Sequence, residues 1–324
     1  MVLSIRAVGG SGAAADMGSL SVGGARVWAR PAAGLGSRQS GSGGAPVRDC
    51  DWDWDWDLPA ESPVDSLRPI LPRVNDFALQ LYTVRHALAA HPSETLRRVR
   101  AAGFEQVETA PPTPELPASR LASLLRDHGF SVAAAHCDLP WGAHQSRILD
   151  EAESLGTRRI VWHGWPKDPN CDSLGGFEVL LDRYLAAFEA ARTRGLRLGL
   201  HNHWWEFEAV GHERLLPWLH RHLPPEIFFE LDVYWAQTAG MDPLEVLAEL
   251  GGRVRMVHMK DGPAIHGQPM TALGEGVVDL RSILIASRSV EAWVVELDEC
   301  ATDPLVAAER SLAFLKRLVS GSPG

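Results

Sequence analysis

Seven short stretches of this 324-residue chain gather the side chains that move protons or hold cations. They are Glu108; His136; Trp162-His163; the run His201-Asn202-His203-Trp204-Trp205-Glu206; Glu230-Leu231-Asp232; His258-Met259-Lys260-Asp261; and Glu296-Leu297-Asp298-Glu299. Each follows or ends a short aliphatic run, and five of the thirteen histidines fall in them. One histidine or glutamate in such a place is ordinarily a hydrogen-bonded bystander. Carboxylates and imidazoles converging from at least four segments are another matter: crowded in a partly desolvated space, they need a cation or compensating charges. The chemistry to expect is divalent-cation binding coupled to proton transfer.

The elements that must position these groups alternate along the chain. Strand-like runs are expected at Phe77–Tyr82, Gln106–Glu108, Ser131–His136, Arg159–His163, Arg197–His201, Ile227–Asp232, Arg255–Met259 and Trp293–Leu297. Amphipathic segments lie between them with recognisable ends. One opens at Pro92-Ser93 and stops at Gly103; others stop at Gly129, Gly156 and Gly195; a last one, from Asp303, closes the chain. Eight such units over residues 76–320 predict an α/β fold, a (β/α)8 TIM barrel. An open doubly wound sheet is the rival, but no Gly-rich phosphate loop follows a strand. In a barrel the reactive residues belong at the C-terminal ends of the strands, where the seven stretches fall.

Composition narrows the function classes. The chain carries 31 Lys and Arg against 41 Asp and Glu, a formal charge of −10. Residues 73–324 account for −8, which disfavours a nucleic-acid partner. No apolar run approaches the roughly 20 residues of a bilayer-spanning helix, and no membrane association is expected. Cys50, Cys137, Cys171 and Cys300 are scattered without a C-x-x-C pair, which fits a reducing cytoplasm and no structural zinc. Residues 1–72, with 11 glycines in the first 44 positions and the Asp-Trp repeat between Asp49 and Asp57, are expected to be a disordered extension without a secretory signal. Residues 73–324 are the expected barrel, and its oligomeric state is left open.

Seven segments together resemble the sugar phosphate isomerase/epimerase family, whose members share a xylose-isomerase-like barrel. They are LQLYTVR (Leu79–Arg85), AAGFEQVE (Ala101–Glu108), LGLHNHWWEFE (Leu198–Glu208), ELDVYWAQTAGMDP (Glu230–Pro243), VHMKDG (Val257–Gly262), LGEGVVDL (Leu273–Leu280) and VVELDE (Val294–Glu299). The resemblance implies one divalent metal at the barrel mouth, held from the last four strands by Glu, Asp, His and Glu. Asp232, His258 and Glu296 match three of these positions. At the strand-five tip, where a Glu is often found, stands His201; Glu206 is the expected fourth ligand, with His203 or His201 as alternatives. Such a donor set suits Mn²⁺, Mg²⁺, Co²⁺ or Zn²⁺. Glu230 and Asp298 are expected to turn away from the face that carries Asp232 and Glu296.

The reaction class follows from the site. A metal across a carbonyl and a neighbouring hydroxyl acidifies the adjacent C–H and stabilises an enediolate. Proton return then gives an epimer or an aldose–ketose isomer, whereas loss of a β-oxygen substituent gives a dehydratase or lyase. Glu296 is the candidate base or proton-return group, His201 and His203 are candidates for base or oxyanion polarisation, and Lys260 is expected to neutralise developing charge. A salt bridge to Asp261 is the other reading of Lys260. Six of the eight tryptophans after residue 76 follow strands three to six, which favours a small carbohydrate as partner. Glu108, His136, Trp162, Trp204 and Trp235 are the expected substrate contacts. Gly274 and Gly276 are expected to make a mobile loop over the mouth. The endonuclease branch of this barrel needs a basic face, which is missing, and a decayed binding barrel would have lost Asp232, His258 or Glu296.

Overall fold

The computed structural model describes residues 76–320; the extension 1–72 and its Asp-Trp tract lie outside them. Ten strands are present among the described residues. β1 (Phe77–Gln80), β2 (Gln106–Thr109), β3 (Ser131–Cys137), β4 (Arg159–Trp162), β5 (Arg197–His201), β8 (Phe228–Asp232), β9 (Val254–Met259) and β10 (Ala292–Val295) close a barrel in the order β1-β10-β9-β8-β5-β4-β3-β2. Every pair within it is parallel. The remaining two, β6 (Ala209–Val210) and β7 (Glu213–Arg214), form a small antiparallel hairpin. All eight expected strands are therefore present, and the TIM barrel is the fold.

Helices cross back between the strands: α1 (Arg85–Ala90), α2 (Pro92–Ala102), α3 (Ala118–Asp127), α4 (Gln145–Ser154), α5 (Leu174–Thr193), α6 (Leu215–His222), α7 (Val233–Thr238), α8 (Pro243–Leu250), α9 (Leu280–Ala286) and α10 (Pro304–Ser320). No described helix is long and apolar enough to cross a membrane.

Two hydrophobic cores flank the strands, and the period-2 alternation of each strand divides its residues between them. Phe229 and Leu231 face the helices, as do Val257, Met259, Trp293 and Val295. Phe228, Met256, Ala292 and Val294 fill the barrel interior with Ala78, Ala133, Ala134 and Val161. The interior is tight. A Cβ on Gly199 would meet the Phe228 ring at 2.4 Å, so β5 carries glycine where that ring crosses the lumen. The same inward rows then change character toward the C-terminal ends: Phe228 is followed by Glu230 and Asp232, Met256 by His258 and Lys260, Val294 by Glu296. An apolar plug thus supports a polar layer at the mouth.

Candidate functional site

The polar layer has a floor and an upper tier. In the floor, Glu230 Oε2 lies 2.6 Å from His136 Nε2, 3.0 Å from His258 Nε2 and 3.3 Å from His201 Nδ1. Glu108 Oε2 accepts from Gln80 Nε2 at 2.9 Å and lies 2.7 Å from His258 Nε2. The rings of His136 and His258 stack with centroids 5.2 Å apart. In the upper tier, His258 Nδ1 lies 2.8 Å from Glu296 Oε2, and His201 Nε2 lies 3.8 Å from Asp232 Oδ2. Lys260 Nζ reaches Asp232 Oδ2 at 2.9 Å, Glu296 Oε2 at 2.8 Å and Asp298 Oδ2 at 2.8 Å. His201 and His258 therefore join the tiers: each turns one ring nitrogen to the floor and the other to the upper carboxylates. A ligand histidine is held in this way when a carboxylate takes its second N–H.

The charges follow from burial and these neighbours. Burial would lift Glu296 and Glu230, but Lys260 and His258 hold Glu296 well below the carboxylate range, and His258 with His136 does the same for Glu230. Burial works against the cationic forms of Lys260 and His258, yet the surrounding carboxylates hold both well above their ordinary values. Burial raises Asp232 to about 6 and Glu108 to about 7. It drops His201 to about 3 and His203 well below its usual value, so both rings are neutral near pH 7.

The donor set fits a divalent cation. Single ligand atoms of His201, Asp232, His258 and Glu296 lie within 4.8 Å of one another, as do those of His136, His201, Glu230 and His258. Asp232 Oδ2, Glu108 Oε1 and Glu230 Oε1 are buried without an aligned hydrogen bond. Five carboxylates face one ammonium and the imidazoles, an excess of negative charge that a dication would relieve.

Asp232, His258, Glu296, His201 and Lys260 thus come together as the sequence suggests, and Glu108 and His136 stand directly beneath them. Glu206 does not join them. It lies in a turn (Trp205–Phe207) past the strand end, where its Oε2 accepts from His203 N at 2.8 Å, and burial pushes its carboxyl up to about 8. His201, at the strand tip itself, is the strand-five residue of both four-residue groups. Glu230 and Asp298 correct the expected orientation. Residues two apart on a strand share a face, so Glu230 points inward with Asp232, and Asp298 joins Glu296 on Lys260. Lys260 pairs with these acids and not with Asp261. Three further residues take parts that the sequence did not assign them: Gln80, which donates to Glu108; Asn202, whose Oδ1 accepts from Asp232 N at 3.0 Å; and Asp261, which accepts from the amides of the glycine-rich loop.

The aromatic residues line two places. Trp235 lies under Lys260, with Nζ 5.6 Å from the ring centroid, and packs at 4.8 Å against Trp204, which meets His266 at 4.1 Å. Trp162, by contrast, lines a cavity of about 230 Å³ between the loops after β3, β4 and β5 and helices α4 and α5, together with Trp141, Trp205, Glu206 and Arg183 and with no residue of the cluster. His203 stands between the two, stacked on Trp205 at 4.2 Å and 5.1 Å from the His201 ring.

The expected mobile loop is fastened instead. Asp261 Oδ1 accepts from Gly262 N and Val278 N, and Oδ2 from Gly274 N and Gly276 N, at 2.8 to 3.1 Å. Leu273 N donates to Ser311 Oγ of α10 at 3.0 Å. Gly276 is required: a Cβ there would lie 2.1 Å from Asp261 Oδ1 and 2.2 Å from Gly262 N.

A comparison with curated proteins finds no match in sequence. Among solved structures, a sugar phosphate isomerase/epimerase from Parabacteroides distasonis superposes with a TM-score of 0.61 at 20% identity, over 74% of this chain and 93% of its own. The probable 3-DHS dehydratase of Bacillus anthracis, involved in petrobactin synthesis, gives 0.60 at 15% identity, over 74% and 98%. A xylose isomerase-like TIM barrel protein of Mycobacterium smegmatis, in complex with magnesium, gives 0.54 at 14% identity, over 76% and 97%. At these identities the likeness speaks for the fold alone. The family model of the xylose isomerase-like TIM barrel matches residues 96–318, and the chain belongs to that family.

Proposed function

We propose that this protein is a divalent-cation-dependent isomerase or epimerase of a small sugar or sugar derivative. The observation that carries the reading is the convergence of His201, Asp232, His258 and Glu296, from four neighbouring strands, on one buried space, with their ligand atoms within 4.8 Å of one another. In this reading those four residues hold the cation, His201 taking the strand-five place. A bound dication polarises a carbonyl and its neighbouring hydroxyl, so that the C–H beside them becomes acidic.

The chain's own groups supply the rest. Glu296, ionised beside Lys260, and His203, neutral with a buried and unpartnered Nδ1, are the two groups able to take the proton. His201 is engaged with Glu230 and Asp232 and is left the role of holding the cation. Lys260 stabilises negative charge as it develops on substrate oxygen. Trp204 and Trp235 wall the space above the cluster, keep water out and offer apolar faces to sugar C–H groups. Glu108 and His136 orient the histidines from below.

A second reading is supported by one observation: strand five ends in His201, so no second carboxylate stands opposite Glu296 for a two-acid proton exchange. Loss of water from the same carbanion-like species would make the protein a dehydratase or lyase. Both readings are tested by incubating the cation-loaded protein with keto-sugars in deuterium oxide. Deuterium in a product of unchanged formula supports isomerase or epimerase, and loss of water supports lyase. No exchange with any keto-sugar, while the cation is bound, contradicts both.

A further inference from the structure

We infer that the cavity lined by Trp162, Trp205 and Glu206 is a binding site for a small organic ammonium ion, separate from the cation cluster. The cavity and the cluster share no residue, so the inference does not rest on the proposed function.

The cavity's 230 Å³ corresponds to roughly eight waters at their liquid volume of about 30 Å³ each, room for a short alkylamine. Much of its wall is apolar: Leu139 and Leu180 stand with the indoles of Trp162 and Trp205. Three carboxyls line it, and two of them have side-chain partners. Asp168 Oδ2 holds Arg183 at 2.7 Å, and Asp138 Oδ1 lies 3.2 Å from His163 Nε2. Glu206 differs. It is 7% exposed and accepts from His203 N at 2.8 Å, but among the described residues no Lys, Arg or His forms an ion pair with it. The cations nearby are taken: Lys167 by Asp172 and Glu208 at 2.8 and 2.7 Å, and Arg183 by Asp168, its guanidinium 5.0 Å from the Trp141 ring.

A carboxyl buried without a basic partner resists ionisation, and burial raises this one to about 8. A ligand that brings the missing positive charge lets it ionise and gains a charge-assisted hydrogen bond. A metal ion does not suit the place. Among the described residues, the two groups of His, Asp and Glu side chains close enough to grip one ion both lie in the cluster, and Glu206 is in neither. An anion would face three carboxyls with the one guanidinium already neutralised. The remaining class is a cation with an apolar body. Its ammonium head meets Glu206, and its charge and C–H groups lie against indole faces, which attract both.

The test titrates n-butylamine hydrochloride, 1-butanol and sodium butyrate into the full chain at pH 7, with and without Mn²⁺, and follows binding by ligand-observed NMR. The inference predicts the amine to bind at least about tenfold tighter than the alcohol or butyrate, a difference of about 1.4 kcal/mol, whether or not Mn²⁺ is present. Glu206→Gln should remove that preference and leave 1-butanol binding and Mn²⁺ uptake unchanged. A second measurement needs no variant: affinity for the amine should rise about tenfold from pH 6 to pH 7, as the Glu206 proton is displaced, while that for 1-butanol stays constant. The other groups around this carboxyl are Lys167, Asp168 and Cys171 from the loop after β4, Tyr184 from α5, and Asp138 and His144 after β3. Burial pushes the Cys171 thiol up to about 12 and raises Tyr184 as well, so both are neutral in this range. Equal binding of the three probes, no binding of the amine, an affinity independent of pH, or a Glu206→Gln chain that keeps the preference overturns the inference. So does loss of the amine on adding Mn²⁺, which would put the amine in the cluster. A wild type that takes up no Mn²⁺ contradicts the proposed function alone.

Discussion

Lys260 is the residue on which the charge balance of the mouth turns. Fully buried ammonium groups persist only when carboxylates surround them, and three do here. Lys260→Met should cost about 3–5 kcal/mol of stability in chelator, since it leaves Asp232 and Glu296 uncompensated. Adding Mn²⁺ should restore more of the lost melting temperature in the variant than it adds to wild type; equal shifts would contradict the pairing. Glu206 gives a pH-dependent counterpart. Its folded carboxyl titrates near 8 against an ordinary 4.5, so between these values the folded chain holds a proton that the unfolded chain has lost, and stability falls as pH rises. Glu206→Gln should therefore gain about 1–3 kcal/mol over wild type at pH 8 and almost nothing at pH 5, measured by thermal unfolding. A gain independent of pH would show that the carboxyl is not buried as described.

Elements place these residues, and here the limits of sequence reading are physical. The eight strands were legible because parallel strands buried on both sides leave short aliphatic runs, and Asp232, His258 and Glu296 were legible because they stand where those runs end. Glu230 and Asp298 stand inward, contrary to the expectation, because period 2 places each on the face of the residue two positions away. The turn at Trp205–Phe207 carries Glu206 away from the axis, which no strand pattern reveals. Nor does the sequence show that the Gly274–Gly276 loop is fixed, because its anchor, Asp261, lies 13 and 15 residues away from those glycines. Gly276→Ala should cost about 1–3 kcal/mol in denaturant unfolding, since no side chain fits against Asp261. An unchanged midpoint would mean that the loop is loose.

At the scale of the molecule, an apolar plug of Phe228, Met256, Val294 and small neighbours closes the lower barrel, and the buried groups Glu108, Glu230, Asp232, His258, Lys260 and Glu296 lie above it. The cavity was invisible in the sequence because the loops after three strands build it together with α4 and α5. The barrel from residue 76 contains every group of the candidate site, so removal of residues 1–72 should leave melting temperature and Mn²⁺ uptake unchanged; a loss of several degrees in calorimetry would assign that segment a structural part.

Equilibrium dialysis against Mn²⁺, followed by elemental analysis of wild type, Asp232→Asn and His258→Ala, addresses the proposed cation most directly. The expected result is one equivalent bound per wild-type chain, with affinity reduced at least about 100-fold in both folded variants. A wild-type chain that retains no divalent ion, or variants that bind as well as wild type, would contradict the account.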